Sequence, residues 1–132
     1  MELRVLLVED EALIALMAQD MIEGLDHRVV QTAATVSDAL AACTECEFDC
    51  ALLDVNLNGD SSMAIATALK ARGIPFAFTT GYGAGGVDDA HRDVSVLGKP
   101  YSLTDLGTLL GQFAAQLAGT SSTMSSVDSN RG

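Results

Sequence analysis

The feature that most constrains this chain is a repeated change of apolar period. RVLLV (4–8), RVVQTA (28–33), CALLDV (50–55), PFAFTT (75–80) and VSVLG (94–98) are short apolar runs, several without alternation. A strand covered on both faces has no reason to alternate, since each side meets apolar neighbours. Between these runs, apolar residues recur every three to four positions, as on one face of a helix. The spacing predicts helices over 11–23, from Ser37 or Thr35 to about Glu47, from Ser61–Ser62 to Gly73, near 87–92, and over 102–118. Gly24 suits a C-cap, Pro75 suits a strand start, and Ser102 and Asp105 have capping-box spacing. Five strand–helix repeats predict an α/β fold: a doubly wound, five-stranded parallel sheet with helices on both faces.

The 132 residues are enough for one domain with its own core, expected over 1–118. The Ser-rich stretch 119–132 has no periodicity and is expected to be a disordered tail. Seven Lys plus Arg against eighteen Asp plus Glu give a net charge of −11. Such a surface repels phosphate backbones and anionic lipid, so neither nucleic acid nor a membrane is an expected partner. No run approaches the length of a membrane span, and the N-terminus does not read as a signal peptide, which predicts a cytoplasmic protein. Cys43, Cys46 and Cys50 are odd in number. With no second C-x-x-C pair and both histidines distant in sequence, they read as buried structural thiols rather than a metal or redox site.

Ligands in open α/β sheets bind beyond the carboxyl ends of the strands. On these strand assignments that edge collects Glu9 and Asp10, Asp54, Thr79 and Thr80, and Lys99 before Pro100. Three crowded carboxylates raise one another's pKa, and a hard divalent cation removes that cost. All-oxygen ligation suits Mg²⁺. The stretch FTTGYGAGGVDD (78–89) also contains G-x-G-x-x-G at Gly81, Gly83 and Gly86, the spacing of a dinucleotide loop. That fingerprint belongs at the first strand–helix turn, where this chain has EDEA, acidic and without glycine. The glycines therefore read as a flexible loop.

Four stretches in order, LLVEDE, ALLDVNLNG, FTTG and GKPY, resemble the signature segments of the response-regulator receiver domain (CheY-like) across about residues 3–118. The resemblance implies a flavodoxin-like fold. It implies Glu9, Asp10 and Asp54 as Mg²⁺ carboxylates, with the Asn56 backbone carbonyl completing the set. Asp54 would be the phosphoacceptor, Thr80 and Lys99 would contact the phosphoryl group, and the Lys99–Pro100 bond would be cis. It further implies that the residues two beyond Asp54 and Thr80, here Asn56 and Tyr82, influence attack by water.

Two features depart from the common receiver pattern. Val96 stands where a strand-five aromatic switch is usual, and Gly81 follows Thr80. PFAFTTGYG instead resembles the subclass named for its F-A-T-G-U-Y motif, often stand-alone receivers working with sensor histidine kinases of the alphaproteobacterial stress type. The expected function is that of a single-domain, monomeric phosphoacceptor rather than an enzyme, signalling by partner binding or acting as a phosphate sink. Its switch is expected in the 81–87 loop, with Gly81, Tyr82 and Gly83. Ile14, Met17 and Met21 are expected to face the sheet, leaving Ala12, Ala15, Leu16 and Gln19 as a docking stripe for the kinase. A pseudo-receiver that binds without phosphorylation is one rival. A haloacid-dehalogenase-type phosphatase is another, but it needs D-x-D on the first strand and this chain has D-V-N on the third.

Overall fold

The computed structural model describes residues 1–81 and 87–126. In chain order the elements are β1 (Arg4–Val8), α1 (Ala12–Gly24), β2 (Arg28–Ala33), α2 (Val36–Glu45) and β3 (Cys50–Asp54). A small hairpin, β4 (Asn56–Leu57) and β5 (Asp60–Ser61), precedes α3 (Met63–Ala71) and β6 (Phe76–Thr80). A single 3-10 turn (Asp89–His91), β7 (Val96–Gly98) and α4 (Leu103–Ser126) follow. The main sheet has the order β2-β1-β3-β6-β7, and every pairing in it is parallel. This is the five-stranded, flavodoxin-like arrangement, with its order reversal between β1 and β3.

The apolar runs lack alternation because successive side chains enter two different cores. Leu6, Val8, Ala51, Leu53 and Phe78 face α2 and α3, where they meet Ala39, Ala42, Cys43, Ile65 and Leu69. Val5, Leu7, Cys50, Leu52 and Ala77 face α1 and α4, where they meet Ala18, Ile22, Leu106, Leu110 and Phe113. At the end of the sheet away from the strands' carboxyl ends, Arg4 and Asp49 fasten β1 to the start of β3. The Arg4 N–H donates to Asp49 Oδ2 at 2.8 Å, and its guanidinium reaches Oδ1 at 3.1 Å. Burial opposes the Asp49 carboxylate, but these bonds outweigh it and hold its pKa below the ordinary value.

Several local expectations are corrected. Of the two cap candidates for α2 the structure selects Thr35, which accepts from the Asp38 N–H at 3.0 Å. The helix near 87–92 is only one 3-10 turn, held by the α3 stripe Met63, Thr67 and Lys70, the last donating to Ala90 O at 2.8 Å. Met17 does not face the sheet: it is 51% exposed beside Leu13 and Leu16, because Ala18, Ile22 and Leu25 take the inner face. Cys43 and Cys50 are buried, as expected, but Cys46 is only half-buried at the α2 C-cap. α4 spans Leu103–Ser126, past the expected end at Ala118. Residues 127–132 lie outside the described residues. No described helix is long and apolar enough to cross a membrane.

Phe78 is fully buried and packs edge-on against Phe76 and His91. Phe78→Ala should therefore destabilise the fold by roughly 3–5 kcal/mol. A urea titration would show this as a lowered midpoint at unchanged slope.

Candidate functional site

Register brings the site together. β1 pairs with β3, β3 with β6 so that Asp54 lies opposite Thr79, and β6 with β7 so that Thr80 lies opposite Gly98. Glu9 leaves β1 with its N–H on Ala33 O at 2.9 Å, and the Lys99 N–H donates to Thr80 O at 2.9 Å. Four strand ends thus present Glu9, Asp54, Thr80 and Lys99 on one rim, with Asp10 beside them. Glu9, Asp54 and Thr80 are each at most 6% exposed. The Lys99–Pro100 peptide is cis.

Lys99 lies between two acids. Its ammonium is 2.7 Å from Glu9 Oε1 and 2.9 Å from Asp54 Oδ2. Burial works against that charge, but the bonds to Glu9 and Asp54 prevail and hold the Lys99 pKa well above its ordinary value. Glu9 is shifted upward, first by burial and further by the Asp54 charge, in opposition to its bonds from Lys99 and the Glu11 N–H.

Each carboxylate also accepts a backbone N–H. Glu11 donates to Glu9 Oε2 at 3.1 Å, Asn56 to Asp54 Oδ1 at 3.2 Å, and Asn58 to Asp10 Oδ2 at 3.0 Å. Of these, the Asn58 donor was missed in the sequence, although Asn58-Gly59 after the third strand is a strong two-residue hairpin signal.

Glu9, Asp10 and Asp54 can each offer an oxygen such that all three lie within 4.8 Å of one another. Two of them are buried, and among the described residues one lysine is paired with the three, so acidic groups outnumber basic ones there. Hard oxygen donors with surplus negative charge fit a divalent cation such as Mg²⁺.

The predicted site residues Glu9, Asp10, Asp54, Asn56, Thr80 and Lys99 are brought together at one edge. Gly81 follows β6 and is exposed, whereas Tyr82 and Gly83 lie outside the described residues. The four residues read as a docking stripe differ in exposure. Ala12 and Leu16 are exposed, but Ala15 packs against the core and Gln19 is half-buried. The four line a groove of about 320 Å³ with Thr32, Ala33 and Ala34. A second, more apolar groove of about 490 Å³ runs along the other flank of α1, between Ile14, Met17 and Met21 and the Lys99–Tyr101 turn. Exposed Leu13 and Met17 widen the apolar face beyond the predicted stripe.

Residues 5–106 match the family model described as the response regulator receiver domain. The solution structure of SdrG from Sphingomonas melonis Fr1 is similar at 43% identity and a TM-score of 0.76, covering 86% of this chain and 97% of that one. The sensor histidine kinase AruS of Pseudomonas aeruginosa is 35% identical over 83% of this chain. The phyllosphere-induced regulator PhyR of Methylorubrum extorquens is 34% identical over 62% of it. The matches span only 12% of AruS and 32% of PhyR.

An acid whose folded-state pKa is raised binds its proton more tightly when folded. Its contribution therefore opposes folding at neutral pH and fades as pH falls through the folded value. In a chelating buffer, Glu9→Gln should accordingly unfold at higher urea than wild type at about pH 7, with the gap closing toward about pH 4.5. Added Mg²⁺ should stabilise wild type more than Glu9→Gln. Denaturation curves across pH, with and without Mg²⁺, check both expectations.

Proposed function

Because this chain belongs to the response regulator receiver domain family, we propose that Asp54 accepts a phosphoryl group from the phosphohistidine of a sensor histidine kinase. The observation that carries this reading is Lys99 bonded to Asp54 at 2.9 Å within a three-carboxylate rim. An Asp54 oxygen attacks phosphorus, the P–N bond breaks, and the imidazole nitrogen leaves with the electron pair, so that an acyl phosphate forms. A carboxylate is a weak nucleophile, so the transfer depends on placement and charge neutralisation.

The chain's own residues supply much of both. The Asn56 N–H holds Asp54 Oδ1 and so orients the carboxylate. The Lys99 ammonium, now on Oδ2, is within reach of incoming phosphoryl oxygens and would balance their charge. The Thr80 hydroxyl, at the end of β6, would contact the same oxygens. A Mg²⁺ ion held by Glu9, Asp10, Asp54 and the Asn56 carbonyl would neutralise the acidic cluster and screen the entering anion.

The F-A-T-G-U-Y resemblance supports a single-domain module that signals by binding a partner or acts as a phosphate sink. With Val96 on β7, a change spreading from Thr80 into 81–87 replaces the usual aromatic rotation in this reading. Exposed Leu16 and the grooves flanking α1 support kinase docking there.

Acetyl phosphate with Mg²⁺ should add one phosphoryl mass to wild type and none to Asp54→Ala, read by intact-mass spectrometry. An adduct that survives in Asp54→Ala would assign the acceptor elsewhere. Leu16→Arg should block transfer from a cognate kinase yet leave acetyl-phosphate labelling intact; equal loss of both would point to misfolding instead.

A further inference from the structure

Asp10 is the least secured member of the acidic cluster. Glu9 and Asp54 share the Lys99 ammonium and are buried, whereas Asp10 is half-buried and has no salt bridge among the described residues. Repulsion from the other two carboxylates favours an outward position, where Asp10 would make a poor third ligand. The Asn58 N–H opposes that movement, donating to Asp10 Oδ2 at 3.0 Å from 48 residues away in sequence.

That N–H reaches Asp10 because of the β4–β5 hairpin. Leu57 pairs with Asp60 across a two-residue turn whose central residues both have positive φ, +54° at Asn58 and +91° at Gly59. These values fit a type I′ turn, for which Asn-Gly is a preferred sequence. The Asn56 side chain braces the turn from inside, its Oδ1 accepting the Gly59 N–H at 2.8 Å. Its own N–H holds Asp54 Oδ1. The hairpin therefore grips Asp54 at its first residue and Asp10 at its tip. A Cβ on Gly59 would meet nothing within 4 Å, so glycine is needed there for its φ rather than for space.

We propose that the Asn58–Gly59 turn is a positioning element of the cation site, holding Asp10 among the other carboxylates through the Asn58 backbone N–H. The inference rests on the reading of Glu9, Asp10 and Asp54 as a divalent-cation site. It makes the backbone at Asn58 essential and its side chain dispensable. Asn58→Gly keeps the N–H and the positive φ. Asn58→Val resists that φ because of its branched Cβ and should redraw the turn, moving the N–H away from Asp10. Gly59→Ala, strained at +91°, is a second variant with the same expected direction.

Magnesium titration by calorimetry on the full chain tests this, with thermal melts in chelator to report folding separately. Asn58→Gly should bind Mg²⁺ within about twofold of wild type, and Asn58→Val and Gly59→Ala about tenfold or more weakly, as when an outer partner of a metal ligand is removed. In a double-mutant cycle, Asn58→Val should add little to the loss already caused by Asp10→Asn. Equal affinity of Asn58→Val and wild type would overturn the proposal, as would loss in Asn58→Gly matching that in Asn58→Val. Additive losses with Asp10→Asn would overturn it as well. A wild-type protein that binds no Mg²⁺ at millimolar concentration would instead remove the cation site itself; wild-type binding with any of the three contrary patterns removes only the hairpin's role.

Discussion

The ammonium of Lys99, shared at 2.7 and 2.9 Å between Glu9 and Asp54, is the interaction on which the carboxyl edge of the sheet depends. Two buried carboxylates side by side would repel each other in a low-dielectric setting, and one would be driven to protonate. A cation between them offsets that repulsion without opening the strand ends to water. The arrangement is still unbalanced, with three acids against one lysine. That imbalance opposes folding, and a set of hard oxygen donors of this kind is one that a divalent ion would suit. Sites that work are often assembled at some expense to stability, and this one concentrates the expense at a single rim.

Strand register makes the shared ammonium possible. Lys99 can reach Glu9 and Asp54 because β7 follows β6, β6 follows β3 and β3 follows β1 across the sheet, all parallel and all ending together. Much of this was legible in sequence. Runs such as RVLLV and CALLDV carry apolar side chains to two cores at once, so their lack of alternation is itself the mark of a strand covered on both faces. Once the strands were placed, Glu9, Asp54, Thr80 and Lys99 fell at their ends by counting.

What counting could not supply was the orientation of elements and the fate of short segments. Met17 fits a helical apolar face as well as Ala18 or Ile22 does. Only the position of the sheet beneath α1 decides that Ala18 and Ile22 turn inward and Met17 outward. The segment at 87–92 has too few apolar positions to fix a full helix, and side chains from α3 hold it as one 3-10 turn. The β4–β5 hairpin was different in kind, since Asn58-Gly59 was a local signal open to reading. Its two-residue strands lack an apolar pattern, and a search led by hydrophobic periodicity passes over such elements.

The hairpin also bears on how long an acyl phosphate at Asp54 would last. Two residues beyond the acceptor, an asparagine amide offers one carbonyl acceptor and two N–H donors. A water attacking phosphorus is helped most by a group that accepts its proton or its hydrogen bond. The Asn56 carbonyl oxygen already takes the Gly59 N–H at 2.8 Å. That leaves one lone pair on the oxygen and two N–H donors, and a donor beside a phosphoryl group would hold its charge without activating water. On the phosphoacceptor reading, the same bond that shapes the turn would leave Asn56 less free to accept from an attacking water. One hydrogen bond would then serve both the shape of the hairpin and the persistence of an acyl phosphate at Asp54.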